Sequence, residues 1–202
     1  MEQLERSWHR AWSGLGLHTP EGLRQRLIDA YNEPHRRYHS LQHLHECISH
    51  FEPAVRLSNH PGEVEIALWF HDAIYELKAK DNEQRSAQWA VDELSNSGAS
   101  PEQAGRVRSL IMATCHTAMP IEPDQQLLVD VDLSILGADP ARFAEYDAQV
   151  KLEYSWVPSP IYRMKRKEVL KGFLDRASIY NTDHFKGLYE QQARANLQSA
   201  IT

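Results

Sequence analysis

The chain has 202 residues, a formal net charge of −6 and only two cysteines, a length that fits one domain burying roughly 70% of its unfolded surface. The acidic balance argues against a general affinity for nucleic acid, which needs an excess of Lys and Arg on the contacting face. Cys47 and Cys115 are too few, and wrongly spaced, for a disulfide framework or a thiolate zinc site, and read as buried thiols.

In chain order, Met1-Glu2-Gln3-Leu4-Glu5-Arg6 carries charge where a secretory signal is apolar, and no later run approaches the ~20 apolar residues of a membrane span. The expectation is a cytoplasmic protein. Thr19-Pro20-Glu21, Ser100-Pro101-Glu102-Gln103 and Asp139-Pro140-Ala141 each put a capping oxygen before a proline at the first helical position, and so predict three helix starts. Residues 21–50 keep Leu23, Leu27, Ala30, Tyr31, Leu41, Leu44 and Ile48 at helical spacing, with Pro34 interrupting. Residues 62–77 are apolar nearly all round in the middle, as a central buried helix is. Further helices are expected at 81–95, 101–115, 161–180 (after the break Val157-Pro158-Ser159-Pro160) and 183–200. Only Leu127-Leu128-Val129 resembles a strand, and it is too short to need a sheet. With no repeat, low-complexity tract or linker, the expectation is a single all-α domain over 1–202, a core at about 21–140 with helices at about 141–200 packed on it. The tryptophans Trp8, Trp12, Trp69, Trp89 and Trp156 are read as core or interface anchors.

Histidine is the unusual component: six of the eleven lie between residues 35 and 60. A helix turning about 100° per residue puts His39 and His43 on one face. His71-Asp72 ends the apolar run Ile66-Ala67-Leu68-Trp69-Phe70, where an imidazole and a carboxylate are costly to bury unless a charge sits between them. A divalent ion needs deprotonated ligands from several elements and open positions for water and substrate. His43, His71, Asp72 and Asp132 meet that need. Mixed nitrogen and oxygen ligation suits one ion of Mn, Fe, Co, Ni or Zn, with Mg workable if waters complete its shell.

The order His…His-Asp…Asp in a helical chain of this size resembles the HD superfamily of metal-dependent phosphohydrolases. More closely, Arg37-Tyr38-His39…His43-Leu44, Phe70-His71-Asp72-Ala73-Ile74-Tyr75, Asn82-Glu83…Ser86-Ala87, Asp130-Val131-Asp132-Leu133…Leu136-Gly137, Arg176…Ile179-Tyr180-Asn181-Thr182 and Ala193-Arg194-Ala195-Asn196-Leu197 are similar to a bacterial family of HD-type phosphohydrolases of about this length. The resemblance implies an HD-type helical bundle, metal on His43, His71, Asp72 and Asp132, and hydrolysis of a nucleotide or another small phosphate ester. By likeness to the Tyr-His-x-x-x-His element of cyclic-nucleotide phosphodiesterases, it also implies His39 as general acid.

Departures from the pattern leave alternatives open. Many HD phosphatases carry a water-orienting Glu three residues after the doublet, where this chain has Tyr75; Glu76 or Glu83 could take the role, or neither. Asp130 and Asp132 both stand at the distal position, and Asp132 is favoured because it precedes Leu133. His116 reads as a helix-end imidazole, a substrate contact or a ligand to a second ion. Arg37 and Arg194 are candidate phosphate contacts, Arg194 alternatively packing the last helix, and Arg163, Lys165, Arg166, Lys167 and Lys171 read as a solvated face. Two other functions remain: a non-catalytic nucleotide- or partner-binding module, and a di-iron oxygenase. The expected partner is a small phosphorylated substrate, without membrane or general nucleic-acid binding, and a homodimer stays open.

Overall fold

The computed structural model describes residues 2–116 and 118–201, which are helical with no strand among them. The helices are α1 (Glu2–Leu15), α2 (Leu23–Tyr31), α3 (Leu41–Ala54), α4 (Pro61–Phe70), α5 (Asn82–Asn96), α6 (Pro101–Ala113), α7 (Pro123–Asp132), α8 (Pro140–Glu153), α9 (Ser159–Leu174) and α10 (Asp183–Ile201). Short 3-10 turns follow α3 at Val55–Leu57 and α7 at Leu133–Gly137. Two compact units emerge, Met1–Val129 and Asp130–Thr202, divided inside α7. Among the described residues no helix is long and apolar enough to cross a membrane.

Two of the three expected helix starts form as capping chemistry dictates. Ser100 Oγ accepts from Gln103 N while the Gln103 side chain accepts from Ser100 N, and Asp139 accepts from Ala141 N and Arg142 N. The third does not: α2 begins at Leu23, after Gly22 in the left-handed region at φ 71°. Leu127-Leu128-Val129 lies within α7, where Leu127 to Val131 are buried for more than a full helical turn.

In the first unit α4 is the central element, packed against α1, α3, α5 and α6. Every residue from Gly62 to Phe70 is buried, and each large apolar side chain contributes roughly 2 kcal/mol through burial. Its two buried glutamates are neutralised from opposite sides. Glu63 takes a bidentate pair from Arg106 of α6, both contacts at 2.7 Å, and Glu65 takes one from Arg10 of α1, Nε at 2.9 Å and Nη2 at the other oxygen. Trp8 of α1 sits between Trp12 and Trp69, with ring centroids 5.5 and 5.0 Å away, and Trp69 Nε1 donates to Ser7 Oγ at 3.0 Å. Trp156, by contrast, is 48% exposed.

The closeness of α1 and α4 depends on glycine. A Cβ on Gly62 would stand 2.8 Å from Ala11 O and 2.9 Å from Gly14 C, both rigid backbone atoms.

The second unit is knitted by side chains that hold backbone. Asp130 is fully buried and accepts from Asn181 N, Asn181 Nδ2, Thr182 N and Thr182 Oγ1 at 2.7 to 2.9 Å. Tyr180 Oη donates to Leu133 O at 3.1 Å, and Asn196 Nδ2 donates to Leu136 O and Ala138 O at 2.9 and 2.8 Å. The motif residues of the last 30 positions thus bind α10 to the 3-10 turn after α7.

Gly62→Ala is expected to lower stability by about 2 kcal/mol, the range for overpacking a close contact. Chemical denaturation read by far-UV circular dichroism checks it, with Gly105→Ala, where no atom lies within 4 Å of the new Cβ, as the stable control.

Candidate metal centre

His71 ends α4 as its C-terminal capping residue, and Asp72 follows in the turn. The expected helix over 62–77 therefore stops at Phe70, which frees the doublet from helical spacing. His71 Nδ1 lies 2.8 Å from Leu68 O. A carbonyl oxygen only accepts, so Nδ1 carries the proton and Nε2 keeps its lone pair, the tautomer a metal ligand needs.

That nitrogen faces two other polar atoms. His43, in the first turn of α3, brings Nε2 to 3.1 Å from His71 Nε2. Asp72 Oδ2 lies 3.1 Å from His71 Nε2 and 3.5 Å from His43 Nε2. Both imidazoles are buried, and Asp72 Oδ2 has no hydrogen-bond donor in reach. Three acceptor-type atoms at this spacing repel unless a proton or a cation sits among them. Ligands about 2.1 Å from a common ion and at right angles stand about 3.0 Å apart, and in tetrahedral arrangement about 3.4 Å, so the triangle has the size that a divalent ion requires.

Burial alone would raise the Asp72 pKa. The positive charges that His71, His39 and His43 carry when protonated outweigh it and hold the carboxyl well below the usual carboxylate range. An ionised carboxylate between two imidazoles is the protonation state that ligation needs.

A fourth donor in the first unit is Cys47, one helical turn after His43. Its sulfur lies 3.7 Å from both ring nitrogens of His43, and His43, Cys47 and His71 offer ligand atoms all within 4.8 Å of one another. The sequence reading of Cys47 as a buried thiol holds for its burial but missed this place. The i, i+4 spacing from His43 was the available signal.

His39 does not share a helix face with His43, as the sequence suggested. Pro34 and the extended Ser40, φ −114° and ψ −178°, keep the chain out of helix until Leu41. His39 instead lies in the preceding turn, its ring stacked on Tyr75 with centroids 4.2 Å apart and the planes 23° from parallel. It is close enough to Asp72 for its charge to hold that carboxyl down. Tyr75, three residues after Asp72, thus supports His39.

Arg36, which sequence reasoning passed over in favour of its neighbour, ties the two turns together. Its buried guanidinium donates to Asp72 O at 2.6 Å, Ala73 O at 3.0 Å and His39 O at 3.1 Å. It also lies over Tyr31 and Tyr75, 5.3 and 5.5 Å from their ring centroids. Asp72 N donates to Tyr31 Oη at 3.3 Å. Asn82 and Ser86 hold the far side of the doublet's loop through the backbone of Glu76 and Ile74. A pair of consecutive arginines gives no sequence signal for which is buried.

The remaining candidates differ in burial and in partners. Arg37 is exposed in the loop before His39, and Glu76 is exposed too. Glu83 is half-buried in the first turn of α5; burial, followed by the Glu83 charge, pushes the Cys115 thiol up. His116 follows α6 in the left-handed region at φ 53°. Arg194 is engaged within its own unit: Nε donates to Glu190, and Nη1 and Nη2 donate to Leu174 O, Arg176 O and Ala177 O. These contacts set the packing alternative over phosphate binding. Of the two distal aspartates, Asp130 is committed to Asn181 and Thr182 in the second unit, and Asp132 is the half-buried last residue of α7.

No protein-family model, curated protein or solved structure matches this chain.

Replacing Arg36 by Met removes the donors of three carbonyls at once. The expected result is a loss of about 3 kcal/mol in stability together with at least tenfold weaker Zn or Co binding, read by denaturation and calorimetry. Acidification offers a second check. Protons compete with a bound ion for its ligand atoms, so occupancy, followed by metal analysis after desalting, falls as the pH is lowered. Retention of the ion through pH 4.5 would contradict imidazole ligation.

Proposed function

We propose that the chain is a metal-dependent phosphohydrolase of the HD type, acting on a nucleotide or another small phosphate ester. The observation that carries this reading is the triangle of His43 Nε2, His71 Nε2 and Asp72 Oδ2, with edges of 3.1 to 3.5 Å and no donor for the carboxylate oxygen. The sequence order His43, His71-Asp72, Asp132 supports it, and by that resemblance Asp132 completes the ligand set.

His43, His71 and Asp72 would hold a divalent ion, which would supply Lewis acidity toward water and toward a phosphoryl oxygen. The chain's own residues supply the rest. His39, held flat against Tyr75, donates a proton to the leaving oxygen. Arg36 keeps the backbone of His39 and Asp72 in fixed register, so that acid and carboxylate stay aligned as substrate enters. Arg37, exposed beside His39, meets the phosphate by a two-pronged guanidinium contact, and His116 is the second candidate for that duty. Glu83 is the candidate to orient the attacking water.

The test is hydrolysis of a panel of nucleotides and phosphate monoesters and diesters with added Mn, Fe, Co, Ni, Zn or Mg. Turnover with at least one metal is expected, with a loss of at least about 100-fold in His71→Ala and Asp72→Ala. His39→Ala is expected to keep the metal and lose about 100-fold in kcat, together with the basic limb of the pH profile. Unchanged activity in His71→Ala and Asp72→Ala would refute the mechanism. A bound metal with no turnover across the panel, but with nucleotide-dependent thermal stabilisation, would favour a binding module.

A further inference from the structure

Helix α3 buries His43, Leu44, Cys47, Ile48, Phe51 and Ala54. Leu44, Ile48, Phe51 and Ala54 are hydrocarbon packing. His43 and Cys47 are not, and they stand one helical turn apart, where the helix meets the His71-Asp72 doublet. A buried cysteine usually serves a core as a small hydrophobe. This one is buried against imidazole nitrogens instead: Sγ lies 3.7 Å from both ring nitrogens of His43, and His43, Cys47 and His71 offer ligand atoms all within 4.8 Å of one another.

Distances decide what such a sulfur can do. An ion held at about 2.05 Å by an imidazole nitrogen and at about 2.3 Å by a thiolate sets the two ligand atoms about 3.1 Å apart at right angles and about 3.6 Å apart in a tetrahedron. The sulfur's 3.7 Å from His43 Nε2 is just beyond that range. Because Sγ is equally far from Nδ1, closing on an ion means a swing about the Cys47 Cα–Cβ bond toward the Nε2 side, where His71 Nε2 and Asp72 Oδ2 meet. Asp72 Oδ2 is buried there without a hydrogen-bond donor, a second and independent sign that the place is built for a cation.

We infer that Cys47 is a metal ligand, so that the first unit presents two imidazoles, one carboxylate and one thiolate to a single divalent ion. The inference rests on the metal proposed above and narrows its identity. Thiolate is a soft donor that suits zinc, cobalt(II) and iron(II), whereas magnesium and manganese favour sites made of carboxylate, carbonyl and water oxygens. The ion displaces the thiol proton as it binds, since the thiolate is the ligand. Four protein donors still leave zinc or cobalt a fifth position for water, the coordination number that catalytic zinc sites reach. Cys47 is thus the residue that makes the site select zinc, cobalt or ferrous iron and reject magnesium.

The test is cobalt(II) titration of the metal-stripped chain, reduced and free of oxygen, followed by absorption spectroscopy. Visible d–d bands report binding to any ligands; a near-ultraviolet sulfur-to-cobalt charge-transfer band reports a thiolate. Both are expected, saturating at one cobalt per chain. Cys115 is the other cysteine of the sequence, so a charge-transfer band that persists in Cys115→Ser belongs to Cys47 without any change at that position. Cys47→Ser, with circular dichroism to check its fold, is expected to keep the visible bands and lose the near-ultraviolet one, and its preference for zinc over manganese falls at least about tenfold in competition. Cobalt bound with visible bands alone, or a charge-transfer band lost in Cys115→Ser, overturns the assignment and leaves the proposed hydrolysis standing. A Cys47 charge-transfer band in a chain that hydrolyses no phosphate ester upholds the ligand and sinks the hydrolase. A chain that binds no cobalt overturns both.

Discussion

Three lone-pair atoms, His43 Nε2, His71 Nε2 and Asp72 Oδ2, are held within 3.5 Å of one another in a buried place. Such a group needs a proton or a cation among its members and a surrounding structure that holds it in place. The Leu68 carbonyl fixes the His71 tautomer, the Tyr31 hydroxyl takes the Asp72 N–H, and Arg36 holds the carbonyls of Asp72, Ala73 and His39. None of these supports touches the centre of the triangle. Each orders backbone on one side of it, as partners of metal ligands do.

Such ordering needs a rigid base, and α4 is that base. A helix buried on all sides can move only if α1, α3, α5 and α6 move with it. Its interior glutamates look like a liability, since a buried carboxylate without a partner costs several kcal/mol. Each is answered by a guanidinium fork from a neighbouring helix, which adds orientation to attraction because the fork fits one approach. The Trp8, Trp12 and Trp69 cluster and the glycine crossing bring α1 close enough for Arg10 to reach Glu65.

The second unit applies a different device. Asp130, Glu190, Arg194 and Asn196 spend their hydrogen bonds on backbone groups of the turns that join its helices. Burial pushes the Asp130 pKa up against the four donors that face it. Sequence elements that read as a closing functional motif are, residue by residue, the fasteners of this unit. Its outer helix, α9, is by contrast held through little more than Leu170 and the half-buried side chains beside it.

Local chemistry in the sequence determined the all-helical class, the caps at Ser100 and Asp139, the buried α4 and the choice of His43, His71 and Asp72, because helix periodicity, capping oxygens and a buried imidazole-carboxylate doublet each act over a few residues. It misjudged where those elements end. Pro34 and the extended Ser40 kept His39 out of α3, and the helix over the doublet stopped at Phe70, since the end of a helix depends on what its terminal groups can bond. Only the tertiary structure decided that Arg36 rather than Arg37 is buried, that Cys47 borders the ligand atoms, that Tyr75 supports His39, and that Asp130 and Arg194 hold backbone. Those roles arise from which carbonyls, rings and carboxylates meet across dozens of residues, and no spacing along the chain encodes such meetings.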